Sequence, residues 1–298
     1  MENFRLKVFR TVAKNLSFTK AANELFISQP AITKHIQAIE NEYGLRLFNR
    51  NGSKIYLTPA GKVLYDYSNK LFNLQKELEN VLNTFKEKQT GSLRLGASTT
   101  IAQYVIPPIL SQFHKKFPYF QLFLHSGNSN QIADLLLNGE IDLGIVEGKI
   151  KNKDIKYLKF INDELVAVTN SNNKILSKNK ITLKELIKFP LVLRERGSGT
   201  LEVLEYAFKN KKIKLSSLNV RLYLGSTEAI KYYIASDDCV GFISTRALKR
   251  ELNSNELKII KIDNFKVSRT FNFISLHGNT PSGITAEFIK LAKREAII

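Results

Sequence analysis

Apolar residues over the first sixty positions recur at helical spacing and then switch to alternation. Phe4, Val8, Phe9 and Val12 mark a first helix. Ser17 is placed to N-cap a second helix, Phe18 to Leu25, which carries Ala21, Ala22 and Leu25 at close helical spacing. After a short turn at Phe26 and Ile27, Ser28 caps a third helix, with Pro30 tolerated in its first turn. Ile32, Ile36 and Ile39 form the stripe that this helix buries, and Ser28, Gln29, Pro30, Thr33, Lys34 and Gln37 fall largely on another face. Leu45 to Arg50 then reads as a short strand, Asn51-Gly52 as a hairpin turn and Lys54 to Leu57 as the returning strand. Thr58-Pro59 opens a new helix, since Thr caps well and Pro suits the first helical position.

That next helix, Pro59 to Lys88, has its own periodicity. Ala60, Leu64, Tyr67, Leu71, Leu74, Leu78, Val81 and Phe85 alternate steps of four and three, the heptad seam of a coiled coil. Thr90-Gly91-Ser92 is a natural end and hinge. From Ser92 onward the pattern is strand, loop, helix: a strand at Leu93 to Ala97, a helix at Ile101 to Lys116, a strand at Phe120 to His125, a helix ending at Asn138 and a strand at Ile141 to Val146. This βαβαβ order predicts a parallel, doubly wound unit. A second unit is expected from Asp163 to Asp263, with strands at Pro190–Leu193, Val220–Leu224 and Cys239–Ser244. A strand at Thr270 to Leu276 and a terminal helix close the chain.

In parallel sheets, ligands sit beyond the carboxyl ends of the strands, beside helix N-termini. Four such ends carry hydroxyl, glycine or amide residues: Ser98, Thr99 and Thr100 with Gln103 one turn on; Ser126, Gly127 and Asn128; Gly197, Ser198, Gly199 and Thr200; and Ser226 with Thr227. Each loop alone is equally a set of N-caps, but four convergent loops favour a polar, anion-friendly pocket between two subdomains. Arg194 and Arg196, just before the glycines, either strengthen the field there or face solvent.

Composition narrows the function classes. The chain has 298 residues, of which 43% are hydrophobic, enough for two or three units with real cores. No apolar run approaches the roughly 18 residues of a membrane helix. Met1 to Arg10 mixes charged and apolar residues without the apolar core of a signal peptide, so a cytoplasmic location is expected. The single cysteine, Cys239, excludes an intrachain disulfide and a cysteine zinc cluster. His35, His114, His125 and His277 show no metal-ligand spacing, and neither a phosphate loop nor a dinucleotide fingerprint is present. Neither an enzyme nor a cofactor is therefore expected. The net charge of +18 suggests a polyanionic partner. The excess is spread, however, with 14 basic against 8 acidic residues over 1–90 and 31 against 19 in the rest. Arrangement decides more than charge. Gln, Ser and Thr on an exposed helix face can hydrogen-bond base edges, while Lys34 on that face and Arg50 and Lys54 beside the hairpin tip suit phosphate. The helix face alone reads more readily as an ordinary solvated surface; the hairpin that follows it favours DNA.

These motifs together resemble the LysR-family DNA-binding domain nearly position for position. The shared elements are Ser17-Phe18-Thr19, Ala21-Ala22, Ser28 to Thr33, Ile36 to Glu40, Leu47 to Arg50 and Leu57 to Gly61. The resemblance implies a winged helix-turn-helix over 1–58, whose third helix enters the major groove of a double-stranded operator. It also implies a linker and dimerisation helix over 59–90, and an effector-binding domain over 91–298. That domain is expected as a periplasmic-binding-protein-like, doubly wound α/β fold of two subdomains, residues 91–161 with 268–298, and residues 162–267. A small-molecule co-inducer, expected to be an anion, would bind between them, where Ser98, Thr100, Gln103 and Thr200 look like the family's ligand contacts. The resemblance further implies a homodimer that pairs into tetramers and, for an activator, RNA polymerase as a partner. Many relatives carry Arg at the position of Lys34, and Lys cannot make the bidentate fork to guanine. The segment from Gly96 to Leu110 looks most like the branch of the family concerned with sulfur metabolism. An exported solute-binding protein would explain the C-terminal two-thirds but not residues 2–88, and an effector-independent DNA binder would not need the polar cleft.

Overall fold

A computed structural model describes residues 3–52, 54–83, 90–148, 151–178, 180–278 and 280–296. The chain divides into two compact units, Met1–Leu82 and Asn83–Ile298.

In the first unit, helices α1 (Phe4–Asn15), α2 (Phe18–Leu25) and α3 (Gln29–Tyr43) precede a hairpin of β1 (Phe48–Asn51) and β2 (Lys54–Leu57), and α4 (Pro59–Asn83) follows. Local chemistry sets these boundaries. The Ser17 and Ser28 side chains accept from the backbone N–H groups of Lys20 and Ala31, as N-caps do. α3 stops at Gly44, in the left-handed conformation that glycine adopts without strain. Val8, Phe9, Val12, Ala21, Ile32, Ile36, Ile39, Leu47 and Phe48 form one core, so the expected stripe of α3 is the buried one. The hairpin is one residue out of its expected register: Asn51 pairs with Lys54, and only Gly52 of the Asn51-Gly52 pair lies in the turn. Thr58 ties the wing to α4, donating to the Arg46 carbonyl at 2.7 Å while accepting from Gly61 N–H at 2.9 Å. A Cβ on Gly61 would lie 2.1 Å from the Leu47 carbonyl oxygen, which explains why glycine stands there.

α4 has two environments. Ala60 and Leu64, expected to begin the seam, are half-buried against the core of their own unit, along with Tyr65. Arg10 of α1 holds the helix further on, donating to Asn69 Oδ1 at 3.1 Å and lying 3.8 Å over the Phe72 ring. Tyr67, Leu71, Leu74, Leu78 and Leu82 are instead all more than half exposed. The side chain of Val81, and Phe85 with the expected end of the helix at Lys88, lie outside the described residues.

The second unit is a nine-stranded mixed sheet with helices. Its elements are β3 (Gly91–Ser98), α5 (Thr99–Tyr104), α6 (Ile106–Lys116), β4 (Phe120–Gly127), α7 (Ser129–Leu137), β5 (Leu143–Val146), β6 (Ile155–Asn170), α8 (Leu183–Leu186) and β7 (Leu191–Arg194). They continue with α9 (Gly199–Asn210), β8 (Val220–Leu224), α10 (Thr227–Ser236), β9 (Val240–Ser244), α11 (Lys249–Asn253), β10 (Leu257–Ile260), β11 (Val267–Leu276) and α12 (Gly283–Glu295). The two parallel units are present: β3 pairs in parallel with β4 and β5, and β7 with β8 and β9. Antiparallel pairing, which the sequence reading leaves out, joins the two units. β6, sixteen residues long, was not foreseen as a strand. It pairs with β11 over its first two-thirds and with β9 and β10 over its last third. β11 in turn pairs with β5, which returns the last segment to the first parallel unit, and the expected subdomain boundaries fall inside β6 and β11. One further correction concerns the helix expected over 101–116. It breaks at Val105, because Pro107 and Pro108 supply no N–H to the preceding turn. Each parallel unit has its own core, one around Leu95, Phe113, Phe271 and Phe288 and the other around Leu193, Leu204, Phe208 and Phe242.

Candidate functional site

On α3, Ser28, Gln29, Pro30, Lys34 and Gln37 are exposed and Thr33 is half-exposed, opposite the stripe of Ile32, Ile36 and Ile39. Two hydroxyls there are already engaged. Ser28 caps the helix, and Thr33 Oγ1 donates to the Gln29 carbonyl at 3.1 Å, which leaves Thr33 its lone pairs and methyl group for other contacts. Gln29 and Gln37 keep free amides among the described contacts. Lys54 is exposed in the wing, whereas the side chain of Arg50 lies outside the described residues.

The four polar loops of the second unit sort into two kinds. Asn128, Ser198 and Ser226 are N-caps, bonded to the backbone of Gln131, Thr200 and Ala229. Ser126 and Gln103 are exposed, and Gly127 packs on Gln131. Ser98, Thr100, Thr200 and Thr227 are buried, and their hydroxyls bond to other side chains. Thr100 Oγ1 lies 3.1 Å from Thr227 Oγ1, joining α5 to α10. Ser98 stands at the N-cap of α5 but makes no cap bond, donating instead to Glu147 Oε2. Thr200 donates to Glu147 Oε1 at 3.1 Å. Gly197 turns with φ +86°, and a Cβ on Gly199 would lie 2.0 Å from the Glu147 carbonyl oxygen, so glycine lets α9 approach β5.

Glu147 belongs to a buried network that reading the loops did not find. Arg269 of β11 donates through Nη1 to Glu147 Oε1 at 3.2 Å and to Thr200 Oγ1 at 2.7 Å, and through Nε to Asp163 Oδ2 at 2.6 Å. Ser244, at the end of β9, donates to Asp163 Oδ1 at 2.7 Å. The side chains of Glu147, Asp163 and Arg269 are 1%, 0% and 1% exposed. Charges so buried persist only when paired, and Arg269 serves both carboxylates, with Arg246 3.8 Å from Asp163 at the rim. Within this network one buried polar atom, Arg269 Nη2, has no hydrogen-bond partner among the described residues. A cavity of about 790 Å³ opens beside the network, lined by Lys151, Lys159, Asp163, Arg246, Lys266 and Arg269 among others. Of the two arginines before the glycines, Arg194 is buried and paired with Glu195 at 2.8 Å, whereas Arg196 is exposed.

Cys239 is buried, and burial pushes its thiol up to about 11. Among the described residues, no group of three or more His, Cys, Asp or Glu could hold a metal ion, and no helix is long and apolar enough to cross a membrane.

Comparison with known proteins agrees at both ends of the chain. Residues 4–62 match the family described as bacterial regulatory helix-turn-helix protein, lysR family, and residues 86–297 match the LysR substrate binding domain. The chain is 31% identical to a probable RuBisCO transcriptional regulator of Thalassiosira pseudonana, over 91% of this chain and 90% of the relative. It is 28% identical to the HTH-type transcriptional regulator CysL of Bacillus subtilis, over 90% of this chain and 89% of that one. The regulatory domain of CcmR from Synechocystis PCC6803, solved in complex with 2-PG, superposes with a TM-score of 0.63 at 32% identity, covering 69% of this chain and 97% of that domain.

Proposed function

Because the chain belongs to the LysR family of helix-turn-helix transcription regulators, we propose that it reads an operator as a homodimer under control of a small anion held between the two halves of its C-terminal unit. It is a DNA-binding regulator and not an enzyme. In this reading Gln29, Thr33 and Gln37 meet base edges, Ser28, Pro30 and Lys34 shape the approach, and Arg50 and Lys54 meet phosphate. The exposed seam of Tyr67, Leu71, Leu74 and Leu78 pairs with the same seam of a second copy, and dimers pair into tetramers in the cytoplasm. RNA polymerase is the further partner if the output is activation.

The effector subdomains are 91–161 with 268–298, and 162–267. One observation supports an anion above others: Ser98, Thr200 and Arg269 together already hold a carboxylate, that of Glu147. A group of donors that suits one buried carboxylate suits another. The CcmR domain's complex with 2-PG supports a small-molecule ligand for this fold. The regulatory consequence requires that the ligand prefer one arrangement of the subdomains, because equal affinity for both shifts nothing.

The test has two arms. Selection from random duplexes with the full chain is expected to enrich a two-fold symmetric site, and failure to enrich any sequence would overturn operator reading. Thermal-shift screening of small anions is expected to find one that stabilises the C-terminal unit and changes affinity for the selected duplex; at 100 times Kd a ligand adds about 2.7 kcal/mol. If every anion that binds leaves duplex affinity unchanged, the regulatory reading fails.

A further inference from the structure

The polar cradle between the two parallel units is not vacant. Ser98 lies at the end of β3, Thr200 at the start of α9 and Arg269 on β11, and all three donate to one carboxylate supplied by the end of β5. We infer that Glu147 is a tethered occupant of the effector cradle, a specificity-determining residue that closes the site against simple anions until an effector displaces it. The inference rests on the effector reading of the cleft, not on the operator reading.

Three observations carry it. First, the Glu147 side chain is 1% exposed, and both its oxygens are bonded to donors from separate elements: Oε2 to Ser98, Oε1 to Thr200 and Arg269. A carboxylate placed only to balance Arg269 would not need hydroxyls from two different loops. Second, the cradle has a donor left over: Arg269 Nη2 is buried without a partner. An unpaired buried donor is costly. A ligand larger than a bare carboxylate could use it, gaining a contact that Glu147 does not make. Third, the adjoining cavity of about 790 Å³ places Lys151, Lys159, Arg246 and Lys266 around Arg269, which favours the approach of an anion from that side.

Tethering sets the selectivity. A group held by the chain competes at an effective concentration of roughly millimolar or above. A free monocarboxylate with no further contacts cannot outcompete it, whereas an anion that also engages the leftover Arg269 Nη2 can. Once displaced, Glu147 must swing toward the cavity, where the lysines can receive its charge. The chain thereby links ligand entry to loss of the Glu147–Thr200 bond, which joins β5 to α9 and so one parallel unit to the other.

The test uses the full chain and acetate as the probe. Glu147→Ala vacates the cradle; wild type and Glu147→Gln keep it filled. Melting temperature is followed with rising sodium acetate against sodium chloride at equal ionic strength. The expected result is a saturable rise for Glu147→Ala, at least tenfold more sensitive to acetate than wild type or Glu147→Gln. The inference is overturned if acetate acts equally on all three proteins or on none. If Glu147→Ala does not fold in chloride, recovery of soluble protein by refolding in acetate supports the inference and no recovery overturns it. Affinity for the selected duplex is measured alongside: an acetate response without any change in duplex binding leaves the cradle standing and removes only its regulatory output.

Discussion

Replacing Arg269 by methionine keeps an unbranched stem and removes the guanidinium, the one cation that serves two buried carboxylates. Arg269 Nε lies 2.6 Å from Asp163 and Nη1 lies 3.2 Å from Glu147, and all three side chains are at most 1% exposed. Breaking a buried pair by removing one partner costs about 3–5 kcal/mol, chiefly because a charge is left uncompensated. Ser244 and Ser98 still donate to the orphaned carboxylates, which keeps the loss from doubling. Against a typical total of roughly 5–15 kcal/mol, that is a large share of the stability of this unit. Native-state hydrogen exchange on peptides from β6 and β11 reads the effect locally, and peptides from α1 to α3 serve as an internal reference. Amides of β6 and β11 that open with the whole unit should exchange roughly two to three and a half orders of magnitude faster, since about 1.4 kcal/mol is a factor of ten. In a Glu147→Gln background the same substitution should cost less by about 0.5–3 kcal/mol, because one of the orphaned charges has gone. A change below about 1 kcal/mol in the first case, or strict additivity in the second, would refute the view that these charges are held in place by one another.

Glutamates at Leu71 and Leu78 would put unpaired charges on the exposed seam of α4; sedimentation should then show loss of the dimer, and unchanged assembly would remove the seam from dimerisation. Cys239 should resist alkylation in the folded protein at pH 8, because its thiol is buried and titrates near 11, and labelling as fast as in urea would contradict that burial.

The N-terminal unit was legible because its determinants are local. Ser17 and Ser28 cap the helices they precede, and the isoleucine stripe of α3 is the buried one. The expected hairpin slipped by one residue because Asn51 pairs with Lys54 instead of turning. In the C-terminal unit, the short parallel strands were readable as apolar runs ending in hydroxyl-rich loops, but β6 was not. Asp163 and Glu164 interrupt its apolar pattern and read as a break in the chain. The pattern fails there because Asp163 is neutralised by Arg269, a partner 106 residues away. For the same reason Glu147 looked like an ordinary acidic residue before a glycine, although its place at the carboxyl end of a parallel strand was a usable signal. Ser98 and Thr200, expected from their loops to donate to an effector, donate in the structure to the carboxylate of Glu147. Pro107 and Pro108 are plain in the sequence, and the missing N–H groups break the helix at Val105.

The most direct test of the account is the affinity of Gln29→Ala, beside wild type, for the selected duplex and for a scrambled duplex of the same length at fixed salt. Gln29 is exposed at the start of α3 and is not needed for the core beneath it, so the fold should be unaffected. Loss of one base-edge contact should cost about 1–3 kcal/mol on the selected duplex and little on the scrambled one. Equal weakening on both duplexes would show that Gln29 supports binding without reading sequence, and would contradict the assignment of α3 as the recognition helix.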